Sequence, residues 1–281
     1  MSEPRRGAIR VALPFGPLTI RWVEWGPVTG EPVLCVHGLT RTGRDFDALA
    51  QALAGQGRRV LCPDMPGRGE SGWLPDGSLY AVPTYVAACA QLLAALGRPF
   101  DWVGTSMGGL IGMGLAATPA TQPRRMVLND VGPFVPAAAL QRIAAYLSLD
   151  LSFPDMAAWT AHVRKAYAPF GPLTEEQWRH LAETSGRMTA QGRVVPHYDP
   201  AIRAPFAASA AADIALWDMW DALTVPMLVL RGETSDILPA GAAARMAAKP
   251  GVRVETIPGC GHAPALMEAG QVAMVSRFLA G

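Results

Sequence analysis

The sequence FDWVGTSMGGLIGMGLAA, residues 100–117, holds the clearest structural signal in the chain. Its apolar beginning is typical of a buried strand and its Gly-, Ala- and Leu-rich end is typical of a helix, with the motif G-T-S-M-G between them. In such a strand–turn–helix unit the serine occupies a strained turn, with its hydroxyl exposed over the end of the sheet. Gly104 and Gly108 are expected because a Cβ at either position would collide with the neighbouring strand and helix. The motif therefore predicts that Ser106 is a nucleophile.

Apolar runs that predict strands alternate with helical patterns on both sides of this motif. The predicted strands are Arg10–Phe15, Leu18–Trp25, Pro32–Val36, Arg59–Cys62, Phe100–Val103, Arg125–Asn129, Pro226–Gly232 and Val252–Ile257. The predicted helices are Phe46–Leu53, Thr84–Leu96, Gly109–Ala117, Ala240–Ala248 and Glu268–Leu279. We expect the first two strands to form a hairpin joined at Gly16–Pro17. Because continuous apolar runs are typical of strands buried on both faces, the pattern predicts an α/β fold with a mostly parallel sheet and helices on both sides.

The alternation stops between residues 134 and 221, a segment rich in Ala, Trp and Met. Helical patterns in it cover Ala137–Leu149, Met156–Tyr167, Glu175–Met188 and a stretch near Pro205–Trp217. We therefore predict a core domain of residues 1–133 and 222–281 and a mainly helical insertion of residues 134–221. The aromatic residues of the insertion form either its own core or the wall of an apolar pocket, and Trp159 and Tyr198 are the candidates for substrate contact.

Composition limits the possible classes of function. Half of the 281 residues are hydrophobic, enough for a large core. Lys and Arg number 24 against 23 Asp and Glu, and a net charge of +1 gives no electrostatic case for binding nucleic acid or an anionic membrane. The N-terminal residues lack the apolar region of a secretory signal. The four cysteines form no C-x-x-C pair, so we expect reduced, buried thiols in a cytoplasmic protein.

A serine nucleophile needs a base and an acid that orients the base. His262 lies in a Gly-flanked loop after the last predicted strand, and Asp236 follows the preceding strand. Both therefore lie at the carboxyl ends of strands, where sites form in open parallel sheets. Asp130 also ends a strand and is the alternative acid. Asp236 is favoured, since its loop directly precedes the strand and loop that carry His262.

The reaction also needs donors for the negative oxygen of a tetrahedral intermediate. One predicted donor is the N–H of Met107, at the start of the helix after Ser106. The other is the N–H of Leu39, in the loop His37-Gly38-Leu39-Thr40 that follows a strand. For His37 a structural role that supports this loop is favoured over proton transfer, and contact with the substrate is the remaining possibility.

Four motifs together resemble the α/β-hydrolase superfamily, in its lid-bearing esterase, lactonase and haloperoxidase-like branch. They are His37-Gly38, the run PDMPGRGES at residues 63–71, GTSMGG at residues 104–109 and Gly261-His262. The resemblance implies a sheet of about eight strands with the first pair antiparallel, and a helical cap formed by the insertion. A serine at position 106 is unlike the relatives that use an Asp nucleophile. The H-G-x-G-P-G signature of ring-fission C–C hydrolases is absent, because the chain reads HGLTRT at residues 37–42.

These features predict an enzyme that hydrolyses a carboxylic ester or lactone of a small, apolar substrate through an acyl-enzyme on Ser106. The expected catalytic set is Ser106, Asp236 and His262, and no metal or organic cofactor is needed. Two alternatives remain open on the sequence. One is a receptor for a small ligand with little turnover. The other is an acyltransferase or cofactor-free perhydrolase, in which the acyl group passes to an acceptor other than water.

Overall fold

The computed structural model describes residues 3–209 and 212–281. Eight of its strands form one sheet. Within these described residues the strands, in chain order, are β1 (Arg5–Leu13), β2 (Gly16–Trp25), β3 (Pro32–Val36), β4 (Arg59–Pro63), β5 (Asp101–Thr105), β6 (Met126–Asn129), β7 (Phe134–Val135), β8 (Gly186–Met188), β9 (Val194–Pro196), β10 (Ile214–Ala215), β11 (Met227–Gly232) and β12 (Val252–Ile257). The order in the large sheet is β1-β2-β4-β3-β5-β6-β11-β12. Within this sheet, the six strands β4, β3, β5, β6, β11 and β12 are each parallel to their neighbours in that series. This confirms the predicted mostly parallel, eight-stranded α/β sheet.

The two N-terminal strands are antiparallel to each other, and β2 is also antiparallel to β4. Leu13 pairs with Gly16, so the hairpin turns at Pro14–Phe15 and not at the expected Gly16–Pro17. Proline has no N–H to donate to a ladder and fixes its own φ, which suits Pro14 to the turn. The expected turn residues instead begin β2.

Ten helices accompany the strands. They are α1 (Asp47–Gly55), α2 (Val82–Leu96), α3 (Met107–Ala116), α4 (Ala137–Leu147), α5 (Met156–Ala166), α6 (Glu175–Ser185), α7 (Ala204–Ser209), α8 (Trp217–Ala222), α9 (Ala240–Ala247) and α10 (Ala269–Ala280), within the part of the chain that the structure describes. Shorter 3-10 helices cover Gly43–Phe46, Gly77–Leu79, Pro119–Thr121, Ala168–Phe170 and Pro200–Arg203.

The sheet is buried on both faces, as the continuous apolar strands predict. All five residues of β3 are buried. Helices α1 and α10 cover one face, where Leu49 and Val275 are completely buried. Helices α2, α3 and α9 cover the other face, where Ile111 and Met246 are completely buried. Each such buried side chain stabilises the fold by about 2 kcal/mol. Since the sheet is packed against helices on both faces, the ends of its strands are held in fixed positions.

The insertion, residues 134–221, contains helices α4 to α7 and most of α8, which ends at Ala222. It also contains two short antiparallel pairs, β7 with β10 and β8 with β9, which the sequence pattern did not predict. Strands of two or three residues are too short to produce an alternating pattern. The helical stretch expected near Pro205–Trp217 falls partly on residues 210–211, which lie outside the described residues.

All four cysteines, Cys35, Cys62, Cys89 and Cys260, are buried and free. Among the described residues, no helix combines the length and the apolar character needed to cross a membrane. Met1 and Ser2 lie outside the described residues, and β1 begins at Arg5.

The glycines beside Ser106 are required by close backbone packing. A Cβ on Gly104 would lie 2.4 Å from the carbonyl carbon of Gly108, in α3. A Cβ on Gly108 would lie 2.0 Å from the carbonyl oxygen of Val36, in β3. Both distances are too short for real contacts, and backbone atoms cannot move aside as a flexible side chain can. The collisions expected from the sequence are therefore present in the structure.

Replacing Gly108 with alanine is expected to lower the free energy of unfolding by about 3 kcal/mol, since the methyl group overpacks a rigid site. Gly241→Ala is a matched control. Gly241 is the second residue of α9, as Gly108 is of α3, and a Cβ there meets nothing within 4 Å. Alanine at 241 is expected to be neutral or to stabilise the helix by about 1 kcal/mol. Urea unfolding of both variants measures the difference, and equal stabilities would contradict the packing described here.

Candidate active site

Ser106 occupies a strained turn between β5 and α3. Its backbone has φ 51° and ψ −115°, a conformation that side-chain-bearing residues rarely adopt. The Ser106 N–H donates to the carbonyl oxygen of Asn129, the last residue of β6, at 2.9 Å. The strand and helix on either side therefore fix the turn and direct the hydroxyl out over the carboxyl end of the sheet.

Ser106, His262 and Asp130 are joined by a chain of hydrogen bonds. His262 Nε2 lies 2.9 Å from Ser106 Oγ, and His262 Nδ1 lies 2.7 Å from Asp130 Oδ2. A carboxylate only accepts hydrogen bonds, so His262 Nδ1 carries the proton that is donated to Asp130. The lone pair of Nε2 is then free to accept the hydroxyl proton of Ser106. This tautomer is the one that a general base acting on serine requires.

Asp130 lies directly after β6 and is completely buried. Its Oδ1 accepts the N–H of Gly232 at 2.8 Å, and its Oδ2 accepts the hydroxyl of Ser235 at 2.6 Å as well as the His262 proton. These donors stabilise the ionised carboxylate where water cannot reach it. The carboxylate is thus oriented from three sides before any substrate binds.

The predicted contact between Asp236 and His262 is wrong, and Asp130 takes that place. Asp236 instead accepts two hydrogen bonds from Arg142, and its side chain is 48% exposed. The loop after β11 does reach the site, but there the hydroxyl of Ser235 donates to Asp130, while the Asp236 carboxylate accepts from Arg142. Because β6 lies next to β5 in the sheet, the end of β6 brings Asp130 beside the Ser106 turn.

The loop after β3 lies against Ser106, since a Cβ on Gly38 would be 3.7 Å from the Ser106 Cβ. The Gly38 carbonyl accepts the N–H of Arg41 at 3.2 Å and lies 2.7 Å from Nδ1 of His37. In a trans peptide the carbonyl and the next N–H point in opposite directions. Holding the Gly38 carbonyl therefore directs the Leu39 N–H away from these contacts. Among the described residues, neither the Leu39 N–H nor the Met107 N–H has an acceptor within the chain.

His37 is completely buried, and its ring hydrogen-bonds to this loop. Its Nε2 accepts the N–H of Met65 at 2.9 Å, so Nδ1 is the donor to Gly38. Burial, with a smaller contribution from the positive charge of Arg68, lowers the pKa of His37 to about 4. The ring is therefore neutral at neutral pH. Arg68, itself completely buried, donates from Nε to the Leu39 carbonyl at 2.8 Å and so fixes the next peptide of the loop.

A cavity of about 360 Å³ lies over Ser106 and His262, between the core loops and the insertion. From the insertion it is lined by Arg142, Ile143, Tyr146, Ala166, Tyr167, Pro169 and Phe170. Its polar wall is a row of hydroxyls: Tyr167 OH lies 2.9 Å from Thr40 Oγ1 and 3.4 Å from Tyr146 OH. Sequence reasoning missed these tyrosines, since Tyr146 lies within α4, Tyr167 directly follows α5, and no motif marks either position.

The three residues predicted to contact the substrate lie outside the wall of this cavity. Among the described residues that line the cavity, none of Trp159, Tyr198 and His37 is present. Trp159 is buried inside the insertion, and its indole N–H donates to the Ala182 carbonyl at 2.8 Å. Tyr198 packs against the main core and pairs with the backbone of Arg68. These aromatic residues therefore serve packing.

The described residues contain no group of three or more His, Cys, Asp or Glu side chains placed to hold a metal ion. The arrangement over Ser106 can deprotonate a hydroxyl and offers N–H groups to a developing oxyanion. Nucleophilic acyl chemistry needs these elements.

Comparison with known proteins agrees with this architecture. A model of the alpha/beta hydrolase family matches residues 33–275. A 3-hydroxybutyrate-oligomer hydrolase of Cupriavidus necator is 42% identical over 293 aligned residues, which cover 100% of this chain and 99% of that protein. An esterase of Mycobacterium tuberculosis is 30% identical over 225 residues, 76% of this chain and 69% of the esterase. The crystal structure of an alpha/beta hydrolase from Novosphingobium aromaticivorans has a TM-score of 0.89 at 38% identity, covering 100% and 99% of the two chains.

The chain belongs to the alpha/beta hydrolase family, as the sequence motifs predict. Relatives across the whole chain or most of it are named hydrolases and esterases, which supports ester hydrolysis as the class of activity.

Proposed function

We propose that the protein is a serine hydrolase that cleaves a carboxylic ester through an acyl-enzyme on Ser106. The observation that carries the proposal is the hydrogen-bond chain from Asp130 through His262 to Ser106, which opens into the cavity. Ser106 Oγ bonds to the ester carbonyl carbon while His262 Nε2 takes the hydroxyl proton. The ester C–O bond then breaks as His262 returns that proton to the leaving alcohol. Water, deprotonated by His262, attacks the acyl-enzyme, releases the acid and restores Ser106.

Asp130 keeps His262 in the reactive tautomer and stabilises the imidazolium that forms in each step. The N–H groups of Leu39 and Met107 receive the negative oxygen of the tetrahedral intermediates. Each preorganised donor of this kind lowers the barrier by about 3 kcal/mol. His37 and Arg68 act through the loop, since their hydrogen bonds fix the two peptides around Leu39.

The insertion, residues 134–221, acts in this proposal as a cap over the core formed by residues 1–133 and 222–281. Tyr146 and Tyr167 bring its surface to the cavity beside Ser106. A cap of this kind limits the size of the acyl group and excludes bulk water from the charged intermediates.

The proposed substrates are short linear esters of small hydroxy acids, with oligomers of 3-hydroxybutyrate as the first compounds to test. The identity of 42% across the whole chain to a protein named as a hydrolase of such oligomers supports this choice. A cavity of about 360 Å³ suits a small ligand, at the lower end of common ligand sites. The hydroxyl row of Thr40, Tyr167 and Tyr146 can donate hydrogen bonds to ester or hydroxyl oxygens beyond the bond that is cleaved.

Purified protein incubated with the linear dimer of 3-hydroxybutyrate is expected to release monomer, measured by liquid chromatography and mass spectrometry. In heavy-oxygen water, each cleavage should place a single heavy oxygen in the released carboxylate of the acyl half. Butyrolactone and p-nitrophenyl butyrate, run in parallel, compare lactone and simple ester substrates. Transfer of the acyl group to an added alcohol or peroxide in preference to water would favour the acyltransferase or perhydrolase alternative. Absence of turnover on all three compounds would contradict the proposal and favour a ligand receptor.

A further inference from the structure

We propose that Arg142 is a subsite for the free carboxylate of the substrate, and that Asp236 controls its availability. This inference rests on the proposed ester hydrolysis and specifies which esters are preferred. An oligomer of a hydroxy acid ends in a carboxylate at one end and a hydroxyl at the other. A residue that binds the carboxylate end fixes which ester bond lies over Ser106.

Arg142 and Asp236 come from different parts of the chain and meet at the cavity. Arg142 lies in α4 of the insertion, and Asp236 lies in the loop after β11. Arg142 Nε lies 2.5 Å from Asp236 Oδ2, and Nη2 lies 3.0 Å from Oδ1. Both residues line the same cavity as Ser106. The two-pronged geometry is the one in which a guanidinium binds a carboxylate, so the site already holds a carboxylate of the protein.

The pair is open to exchange with a ligand. The side chains are 53% and 48% exposed, and exposed ion pairs contribute little because water and salt screen them. A substrate carboxylate that also gains contacts in the cavity can therefore displace Asp236 from Arg142. The displaced Asp236 side chain has solvent to turn into.

Of the charged side chains on the cavity wall, one guanidinium is within reach of an anionic ligand. Among the described lining residues, the Arg, Lys, Asp and Glu side chains are Arg41, Arg142 and Asp236. Arg41 is buried, paired with Asp45, and stacked 4.6 Å from the ring centre of Tyr167. Among the described residues its Nη1 has no hydrogen-bond partner, but that nitrogen is closed off from solvent. Arg142, with 53% of its side chain exposed, is therefore the guanidinium on this wall that a ligand can reach. Planar guanidinium donors match a carboxylate better than they match a neutral ester.

The test compares the free-acid dimer of 3-hydroxybutyrate with the same dimer capped as a methyl ester. In the Arg142→Gln variant, the ratio of kcat/KM for the free acid to that for the capped dimer is expected to fall about 10- to 100-fold, mainly through KM, because a charge-assisted hydrogen bond is lost. In Asp236→Asn the same ratio is expected to rise several-fold, since the competing carboxylate is gone. Arg142→Lys keeps the charge but not the fork, and should lie between Arg142→Gln and the wild type.

Arg142→Gln and Asp236→Asn are expected to change the kcat/KM ratio in opposite directions. This separates ligand binding by Arg142 from a purely structural ion pair, here called a latch, that joins the insertion to the core. A latch would lose function on both substrates when either partner is changed, with the ratio unaltered, and that result would overturn the inference. Arg164→Gln is the matched control, because Arg164 is a similarly exposed arginine of the insertion paired with Glu175, outside this cavity. It should leave the ratio unchanged. If the wild type hydrolyses p-nitrophenyl butyrate but the ratio does not respond to Arg142, this inference fails while the proposed function stands.

Discussion

Ser106→Ala is expected to lower kcat for p-nitrophenyl butyrate by about 10⁴- to 10⁶-fold, the largest effect of any substitution considered. The substitution removes the only hydroxyl that His262 Nε2 contacts among the described residues, at 2.9 Å, and leaves no atom to form the acyl bond. Residual catalysis would come from the oxyanion donors and substrate binding alone. Steady-state release of p-nitrophenol measures the loss.

The matched control is Ser148→Ala, because Ser148 is an exposed serine of the insertion whose hydroxyl donates to the carbonyl of Ala145. It should retain the activity of the wild type. Circular dichroism should show that both variants are folded. A folded Ser106→Ala protein that keeps a tenth or more of the wild-type kcat would refute the nucleophile assignment.

Asp130→Asn is expected to lower kcat by about 10⁴-fold while the protein stays folded. An amide in place of the carboxylate can turn its NH₂ toward His262 Nδ1, which favours the tautomer that carries its proton on Nε2. Nε2 then cannot take the Ser106 proton. The N–H of Gly232 still donates to the remaining side-chain oxygen and holds the amide in place, although the NH₂ in place of Oδ2 no longer accepts the Ser235 hydroxyl. We therefore expect the loss to arise from chemistry more than from folding.

Asp236→Asn is the matched control for Asp130→Asn. Asp236 contacts Arg142 and not His262, so its loss is expected to change kcat for the neutral ester p-nitrophenyl butyrate by less than about tenfold. The two variants have the same change of side chain, both at loops that follow strands of the sheet. If Asp236→Asn abolished turnover and Asp130→Asn did not, the hydrogen-bond geometry described for His262 would not be the functional one.

Most of the fold could be predicted from the sequence, because strands that are buried on both faces of the sheet consist of continuous apolar residues. A continuous apolar run as short as Pro32–Val36 fits a strand buried on both faces better than a buried helix, which is usually longer, and β3 has these bounds. The turn at Ser106 was readable for a similar reason. Its flanking glycines are dictated by backbone contacts of 2.0 Å and 2.4 Å that any Cβ would make.

Sequence reasoning favoured Asp236 as the carboxylate beside His262, and the structure has Asp130 in that position. Asp130 and Asp236 both follow strands and both lie at the carboxyl edge, so position along the chain does not separate them. What separates them is the direction of each side chain, which depends on the turn after the strand. Asp130 has φ 56°, an unusual conformation that turns its carboxylate under His262. Ser235, and not the adjacent Asp236, donates the further hydrogen bond to the Asp130 carboxylate.

The cavity wall could not be predicted for a different reason. It is formed where the insertion meets the core, by residues such as Tyr146 and Tyr167 that lie far from Ser106 in sequence. A tyrosine at a helix position has the same pattern whether it faces a cavity or a core. Trp159 was the more prominent aromatic candidate, and it is buried within the insertion.

The most direct test of the central claim, an acyl-enzyme on Ser106, is the mass of the intact protein after reaction with a p-nitrophenyl alkylphosphonate. A phosphonate imitates the tetrahedral intermediate and stays bonded to an activated serine. The wild type is expected to gain a single phosphonyl group, located on the peptide that contains Ser106, with loss of esterase activity at the same rate. Asp130→Asn should react far more slowly and Ser106→Ala not at all. A wild type that hydrolyses the ester yet gains no mass, or gains it on another residue, would contradict the account.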